Sequence, residues 1–392
     1  MDIRIDFHWR PGGSAVKFPK EGKMKNRKKI AGVGAIVLAL TAFTGTAQLA
    51  HANASVTTGP NGEKATACAT VKLTTAQTKS VRAGKFSAAL LWHTSSDFVT
   101  AVNAGASASL KRMGIKVVAT GDAQFDTAKQ KANVDTAMAK KPSLILGLPF
   151  DGVAAAAAYK SAVAAKTKLV FLSNLPDKFT YGKEYVTVVT DDLAQMGIKA
   201  ADSLATAMGA KGEVGYIFHD ATYYVTNQRD QAFKARIASK YPNMKIVSEQ
   251  GLTDPAKGQE IAQAMLAKNP NIGGIYVTWA QPAEGVLAAL KAAGNKTTKI
   301  VTLDLSEPLA VDMVRNGNVA SITADAAYAL GECMAVAGAI GLVKGKVPPF
   351  LIAPALTVTA SNVEEGWRLS LNRPLPASIK KELDEKRVKT GR

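Results

Sequence analysis

The chain has 392 residues, with 49 lysines and arginines against 31 aspartates and glutamates, and its formal net charge is +18. This length predicts two domains and buries a sizeable core without crosslinks. The charge invites a nucleic-acid reading. However, the lysines are scattered over predicted helix ends and loops, and no basic stripe is interleaved with aromatic residues. We therefore predict no nucleic-acid partner.

An export signal is predicted near the start of the chain. The segment Met24–Lys29 is basic, residues 30–43 form an apolar run, and Ala52-Asn53-Ala54 offers a small-residue cleavage site. These features, in this order, are typical of a secretory signal peptide. The sequence therefore predicts export to the periplasm with cleavage near Ala54. A retained N-terminal anchor is the alternative.

The segments on either side of this signal have different compositions. Residues 1–23 place acidic residues ahead of the basic segment, and we interpret them as a non-native upstream extension, with Met24 as the true start. Residues 24–54 form the signal peptide. Residues 55–85 are polar and rich in threonine and alanine, which predicts a loose polar leader.

From residue 86 onward, apolar runs of strand length alternate with alanine-rich helical stretches. Many runs are continuously apolar, as expected for strands buried on both faces of a parallel sheet. Strand followed by helix, repeated along the chain, indicates βαβ units. The strands fall into two similar sets, which are residues 86–92, 115–119, 144–148, 168–172 and 185–189, then 213–218, 245–248, 274–278, 300–303 and 320–323. This pattern predicts an α/β fold with two doubly wound, Rossmann-like parallel-sheet lobes.

Cysteines and glycine motifs limit the chemistry. Cys68 and Cys333 are the two cysteines of the chain. Export permits a disulfide, but their separation gives no geometric evidence, so the pairing stays open. No histidine cluster or CxxC motif predicts a metal site. No GxGxxG follows the first strand and no P-loop occurs, so no cofactor is predicted.

Ligands of doubly wound sheets bind outside the carboxyl ends of the strands. The first strand ends at Trp92 and is followed by Ser95, Asp97 and Phe98. These residues either cap the next helix or bind hydroxyl groups and stack on a ring. The other candidates at strand ends and helix entries are Asn174, Thr190, Asn227, Arg229, Trp279, Asp304 and Asp325.

This mixture of side chains suits a carbohydrate. Aromatic faces cover the C–H surface of a sugar ring, while carboxylates, amides and guanidinium groups hold vicinal hydroxyls. We expect a buried carboxylate here to stay charged through its hydroxyl donors and Arg229. Catalysis has weaker support, because nothing fixes a carboxylate pair at the separation that glycoside hydrolysis requires and no GxSxG elbow occurs.

The order of these motifs resembles the type I periplasmic sugar-binding proteins, the ribose/galactose-binding group of ABC importers. The resemblance covers residues 86–367, and its landmarks are Ser95-Ser96-Asp97-Phe98, Pro149-Phe150-Asp151, Thr190-Asp191-Asp192, Asn227–Phe233, Thr302-Leu303-Asp304 and Ala320–Asp325. It implies three crossover segments, near residues 190–192, 323–325 and 354–358. One lobe would then comprise residues 86–190 and 326–355, and the other residues 191–325 and 356–392.

The resemblance also implies a set of ligand contacts, which are Ser95, Asp97, Phe98, Leu148, Ser173, Asn174, Thr190, Asn227, Trp279, Asp304 and Asp325. The family has an aromatic residue where Asp97 stands, asparagine where Leu148 stands, Asp-Arg where Ser173-Asn174 stands and arginine where Asn227 stands. These departures favour a monosaccharide or sugar alcohol other than the family's usual sugar. Trp92 and Trp279 are expected to supply replacement stacking surfaces.

The sequence as a whole predicts a monomeric, exported solute-binding protein that is not an enzyme. It would capture a sugar or polyol between closing lobes and deliver it to an ABC permease in the inner membrane. One alternative is a binding component that presents a sugar to a chemoreceptor or sensor kinase, and another is a secreted carbohydrate-active enzyme. A repressor of this fold is disfavoured, because the signal peptide occupies the place of its helix-turn-helix.

Overall fold

The structure, a computed structural model, describes residues 56–221 and 223–390. The predicted extension, signal peptide and cleavage site lie outside the described residues. The strands are β1 (Thr66–Ala67), β2 (Ser87–Trp92), β3 (Lys116–Asp122), β4 (Leu144–Gly147), β5 (Lys168–Leu172), β6 (Thr187–Asp191), β7 (Gly212–His219), β8 (Met244–Leu252), β9 (Ile272–Val277), β10 (Lys299–Leu303), β11 (Val319–Ala324), β12 (Phe350–Ala353) and β13 (Leu356–Val358).

Helices lie between most of these strands. They are α1 (Thr75–Ala83), α2 (Asp97–Met113), α3 (Thr127–Ala139), α4 (Gly152–Ala158), α5 (Lys160–Ala164), α6 (Leu193–Met208), α7 (Tyr224–Lys240), α8 (Gly258–Lys268), α9 (Ala280–Ala292), α10 (Glu307–Val314), α11 (Ala327–Leu342), α12 (Val363–Leu371) and α13 (Ala377–Thr390). Within the described part of the chain, no helix is both long and apolar enough to cross a membrane.

The strands form two sheets, each the centre of one lobe. The first has the order β1-β12-β6-β5-β4-β2-β3, and all its neighbouring strands are parallel. The second has the order β13-β11-β10-β9-β7-β8, in which β13 alone pairs antiparallel. Strand β4, a continuous apolar run, is buried along its whole length, and so is β6, although β6 contains two threonines and an aspartate. The prediction of two doubly wound parallel-sheet lobes is confirmed.

The chain passes between the two sheets three times. It leaves the first sheet after β6, returns to it after β11, and leaves it again between β12 and β13. Helix α11 packs on α2, β4, β5 and β6, although it follows a strand of the second sheet. The carboxyl ends of β6 and β11 therefore lie where the two lobes join.

The loose leader predicted for residues 55–85 is wrong for the part that the structure describes. Strand β1 pairs in parallel with β12, with Thr66 opposite Leu351, and α1 begins at a capping box formed by Thr74 and Gln77. The sequence of this segment has no apolar pattern that predicts a strand or a helix, because β1 has two residues and Val81 is the one buried residue of α1. Contacts with distant parts of the chain, rather than an apolar pattern, stabilise it.

A disulfide between Cys68 and Cys333 fastens this segment to the first lobe. The two Cα atoms are 5.8 Å apart, and both residues are fully buried. Cys68 begins a single 3-10 turn directly after β1, and Cys333 lies in the middle of α11. The pairing that the sequence left open is therefore present, and it joins residues 265 positions apart.

Helices α2 and α11 approach each other through two glycines. A Cβ atom on Gly105 would lie 2.0 Å from the carbonyl oxygen of Tyr328, and one on Gly331 would lie 2.0 Å from that of Val102. Any larger residue would push the helices apart. Because α2 begins at Asp97, this contact also sets where the first residues of α2 stand.

Breaking the disulfide should lower stability without preventing folding. A disulfide of this kind contributes about 2–4 kcal/mol. We expect Cys68→Ala combined with Cys333→Ala to lower the free energy of unfolding by that amount in urea denaturation. Reductant should destabilise the wild type similarly and leave the double variant unchanged. Equal stability of oxidised wild type and double variant would contradict the crosslink.

Candidate functional site

A cleft of about 480 Å³ lies between the lobes, at the carboxyl ends of the strands. The first lobe contributes residues after β2, β3, β4 and β5, and the second contributes residues after β7, β9 and β10 together with one face of α7. Thr190, Asp191 and Asp325 line it from the two crossovers that follow β6 and β11. The cleft therefore sits at the position expected for ligands of doubly wound sheets.

Most of the predicted ligand residues meet in this cleft. Nine of them line it, namely Ser95, Asp97, Phe98, Asn174, Thr190, Arg229, Trp279, Asp304 and Asp325. Leu148 and Ser173, which the family resemblance added, line it as well. Trp92 and Asn227 do not.

Trp92 is directed away from the cleft. Its indole Nε1 donates a hydrogen bond of 3.0 Å to the Asn103 side chain on α2, and the residue is buried. Successive strand residues point to opposite faces, and Trp92 faces the helix layer. The prediction that Trp92 supplies a stacking surface for the ligand is therefore wrong, because its side chain packs inside the first lobe.

Asn227 lies on α7, but on the wrong face. Thr226 and Arg229 line the cleft and are three residues apart, so they share one side of the helix. Asn227 follows Thr226 by one position, which turns it about 100° around the helix axis. The cleft is therefore lined by Thr226 and Arg229 of this segment and not by Asn227.

A single guanidinium lies among several carboxyl groups at the base of the cleft. Arg229 Nη1 is 3.5 Å from Asp304 Oδ1, and Arg229 is 6% exposed. Asp325 lies close enough to Asp304 and Asp191 for the three carboxyl groups to repel one another, and Asp191 Oδ1 accepts the Ala326 N–H at 3.0 Å. One cation therefore faces three carboxyl groups contributed by three separate strand ends.

Burial and mutual repulsion keep a proton in this cluster. Burial, together with the charges of Asp304 and Asp191, holds the pKa of Asp325 well above its usual range. Burial also raises the pKa of Asp191 to about 6. Without the hydroxyl donors of a solute, the pKa of Asp325 is thus raised, because Arg229 supplies one positive charge for the whole group.

Arg229 is held by packing behind it. A Cβ atom on Gly197 of α6 would lie 2.1 Å from the Arg229 carbonyl oxygen, so the close approach of α6 and α7 requires that glycine. The next residue, Asp230, accepts hydrogen bonds from the Tyr276 hydroxyl at 2.6 Å and the His219 N–H at 2.9 Å. These contacts tie α7 to β7 and β9 and fix the direction of Arg229.

Aromatic rings form a wall on each side of the cleft. In the first lobe, Phe125 packs edge-on against His93, with ring centroids 4.9 Å apart, and against Phe150 at 5.8 Å. In the second, His219 lies 4.9 Å from Trp279 and 5.0 Å from Tyr223. The sequence singled out Trp279 alone from this group.

Both histidines behave as neutral aromatic groups. Burial lowers the pKa of His93 to about 4 and that of His219 to about 4. The strand-end rule could have identified them, because His93 follows β2 directly and His219 is the last residue of β7. Phe125 lies three residues beyond the end of β3, in a loop where its φ is 54°.

Several buried polar atoms of the cleft have no hydrogen-bond partner. They are His93 Nδ1, Asn174 Oδ1, Thr190 Oγ1, Arg229 Nε and Ser306 Oγ. Buried polar groups are normally paired, so this set indicates a polar solute that supplies both donors and acceptors. At the rim, Asp97 is instead paired with Arg373 at 2.6 Å.

A metal ion has no evident place in this arrangement. Among residues 56–221 and 223–390, no group of three or more histidine, cysteine, aspartate or glutamate side chains could hold one.

The raised pKa of Asp325 predicts a pH-dependent stability. A carboxyl with a raised folded-state pKa contributes stability that is present below its unfolded pKa of about 4 and is lost as pH rises. Asp325→Asn should therefore stabilise the ligand-free protein at pH 8 by on the order of 1 kcal/mol, and much less at pH 4.5. Urea unfolding at both pH values measures the difference.

Asp135→Asn is the matched control, because Asp135 is half exposed and lies on α3, outside the cleft. It should change stability little at either pH. A stabilisation by Asp325→Asn that shrinks as pH rises would contradict a protonated Asp325.

The chain is similar in sequence to known proteins. The ribose import binding protein of Salmonella typhimurium is 25% identical over 227 residues, which cover 58% of this chain and 74% of that protein. The ribose import binding protein of Haemophilus influenzae is 27% identical over 250 residues, covering 64% and 82%.

A solved structure agrees with these relatives. An ABC transporter solute-binding protein from Agrobacterium vitis, bound to α-D-tagatopyranose, superposes with a TM-score of 0.65 at 25% identity, covering 71% of this chain and 96% of that one. The family model of the periplasmic binding protein domain matches residues 87–346. With two parallel-sheet lobes, three crossovers and a cleft between them, the chain belongs to the periplasmic binding protein family.

Proposed function

We propose that the protein binds a monosaccharide or sugar alcohol in the cleft and delivers it to an ABC permease in the inner membrane. One observation carries the proposal: aromatic walls flank a base of unpartnered polar atoms around Arg229 and Asp304. A sugar has the complementary surface, with C–H faces for the rings and hydroxyls for the polar atoms.

The relatives support this substrate class. Two of them are named as ribose import proteins, and the Agrobacterium vitis protein holds a ketose pyranose. The family name further supports a periplasmic location. We propose that the protein acts as a monomer and that closure about the three crossovers encloses the solute, as in other two-lobed binding proteins.

The carboxyl groups of the cleft are poorly arranged for glycoside hydrolysis. Glycosidases separate their two carboxyl groups by about 5 Å or more, so that the sugar and a nucleophile fit between them. Asp304 and Asp191 instead interact electrostatically with Asp325 at close range, and Asp191 also accepts the backbone N–H of Ala326. Capture and release of an unchanged solute is the activity that this geometry favours.

A ligand screen tests the proposal directly. The mature protein should be stabilised by at least one of D-ribose, D-allose, D-arabinose, D-tagatose and myo-inositol in thermal-shift measurements. A ligand at a thousand times its Kd adds about 4 kcal/mol to the folded state, which is a readily measured shift. No stabilisation by any of these, at millimolar concentration, would count against a sugar or polyol site.

Substitutions within the cleft should weaken that binding. We expect Trp279→Ala to lose a stacking face and Asp304→Asn to lose a charged acceptor, each raising Kd at least tenfold in calorimetric titration. Asparagine is chosen because residue 304 has φ of 65°, which asparagine tolerates.

Asn227→Ala is the matched control, since Asn227 lies on α7 two residues from Arg229 but outside the cleft. It should leave Kd within about twofold. If the control weakens binding as much as the two cleft substitutions do, the assignment of the site is wrong.

A further inference from the structure

The first described residues form a small hairpin that the family match does not include. We call residues 56–64 the N-terminal strap. Thr58 and Lys64 pair as an antiparallel bridge, the Gly59 N–H donates to the Glu63 carbonyl at 2.7 Å, and the Gly62 N–H donates to the Gly59 carbonyl at 2.9 Å. The strap is therefore a folded turn of defined shape.

One end of the strap is inserted at the first crossover. Thr57 is 2% exposed, and its hydroxyl donates to Asp192 Oδ1 at 2.5 Å while accepting the Ala194 N–H at 2.9 Å. Asp192 itself accepts the Gln195 N–H, so the two side chains together cap the N-terminus of α6. A residue far away in sequence thus completes a helix cap at the junction of the lobes.

The same end also holds α7. Gln228 Nε2 donates to the Thr58 carbonyl at 3.0 Å, its Oε1 accepts the Thr58 N–H at 3.4 Å, and the Tyr224 hydroxyl donates to the same carbonyl. Tyr224 and Gln228 are one turn apart on α7. The neighbouring residues Thr226 and Arg229, on another face of that turn, line the cleft.

The other end of the strap belongs to the first lobe. The Tyr185 hydroxyl donates to Glu63 Oε1 at 3.3 Å. The chain then enters β1, which pairs with β12, and reaches Cys68 and its disulfide to α11. The strap therefore runs from a covalently anchored point on one lobe to the ligand-contacting helix of the other.

We propose that the N-terminal strap is a tether across the hinge that positions α7, and with it Arg229, against the ligand cleft. The three crossovers join the lobes covalently, and the strap adds a hydrogen-bonded connection. A connection that restricts opening raises the fraction of molecules that are competent to bind. Because the apparent Kd equals the intrinsic Kd divided by that fraction, the apparent Kd falls. This effect on affinity rests on the proposed sugar-binding function, whereas the effect on lobe opening does not.

Thr57→Val and Thr57→Ser form a matched pair for the test. Valine keeps the shape of threonine and removes the hydroxyl, while serine keeps the hydroxyl. Tyr224→Phe combined with Gln228→Ala cuts the contacts with α7 without altering the strap. Small-angle X-ray scattering of each protein measures lobe opening, and calorimetric titration with D-ribose and with D-allose measures affinity.

We expect Thr57→Val and the α7 double variant to increase the radius of gyration of the ligand-free protein and to leave that of the sugar-saturated protein unchanged. Loss of a buried hydrogen bond corresponds to a rise in Kd of about five- to tenfold. Thr57→Ser should match the wild type in both measurements. A contact that only stabilises the fold would not change the radius of gyration of the ligand-free protein while leaving that of the sugar-saturated protein unchanged.

Two results would overturn the tether. One is an unchanged radius of gyration and Kd in both Thr57→Val and the α7 double variant. The other is a lowered urea midpoint in these variants with the same radius and affinity as the wild type, which would make the strap structural only. If the wild type binds none of the five solutes of the thermal-shift screen, the proposed function is in doubt, while scattering of ligand-free Thr57→Val against Thr57→Ser still decides the strap.

Discussion

The rest of the site depends on one electrostatic constraint, which is that three carboxyl groups share the single positive charge of Arg229. One buried guanidinium faces Asp304 from the end of β10, Asp325 from the crossover after β11 and Asp191 from the crossover after β6. Because isolated charges are costly to bury, these groups must stay together and share a proton. The cluster thereby joins the second lobe to two of the three connections between the lobes, and it leaves Arg229 Nε available to a solute.

The two lobes position residues of the cleft by the same physical device, a close pair of helices that meet through glycine. In the first lobe, Gly105 and Gly331 let α2 and α11 touch, and α2 begins with the cleft residue Asp97. In the second, Gly197 lets α6 approach α7 at Arg229. The disulfide at Cys333 and the N-terminal strap act on these same helix pairs, so the segment before β2 stabilises both sides of the cleft.

Much of the fold could be predicted because parallel strands buried on both faces leave a strong local pattern. The predicted strand 168–172 coincides with β5, and the predicted strand 144–148 coincides with β4 to within one residue. Strand ends were equally informative, since most of the cleft residues follow directly from them. Two kinds of prediction were wrong. Strand β1 is too short to produce a hydrophobic pattern. Trp92 and Asn227 were chosen by their position in the sequence, which does not reveal the direction in which each side chain points.

Sequence alone determined the class of fold, the edge of the sheets where a solute binds and the kinds of side chain gathered there, because hydrophobic period and strand ends are local properties of the chain. Tertiary structure decided which neighbour of a motif turns into the cleft, that Cys68 pairs with Cys333, and that residues 56–64 cross the hinge. It also decided the protonation of Asp325, since that depends on how many carboxyl groups distant parts of the chain bring to one arginine. Such features arise from contacts between residues far apart in sequence, which no local pattern records.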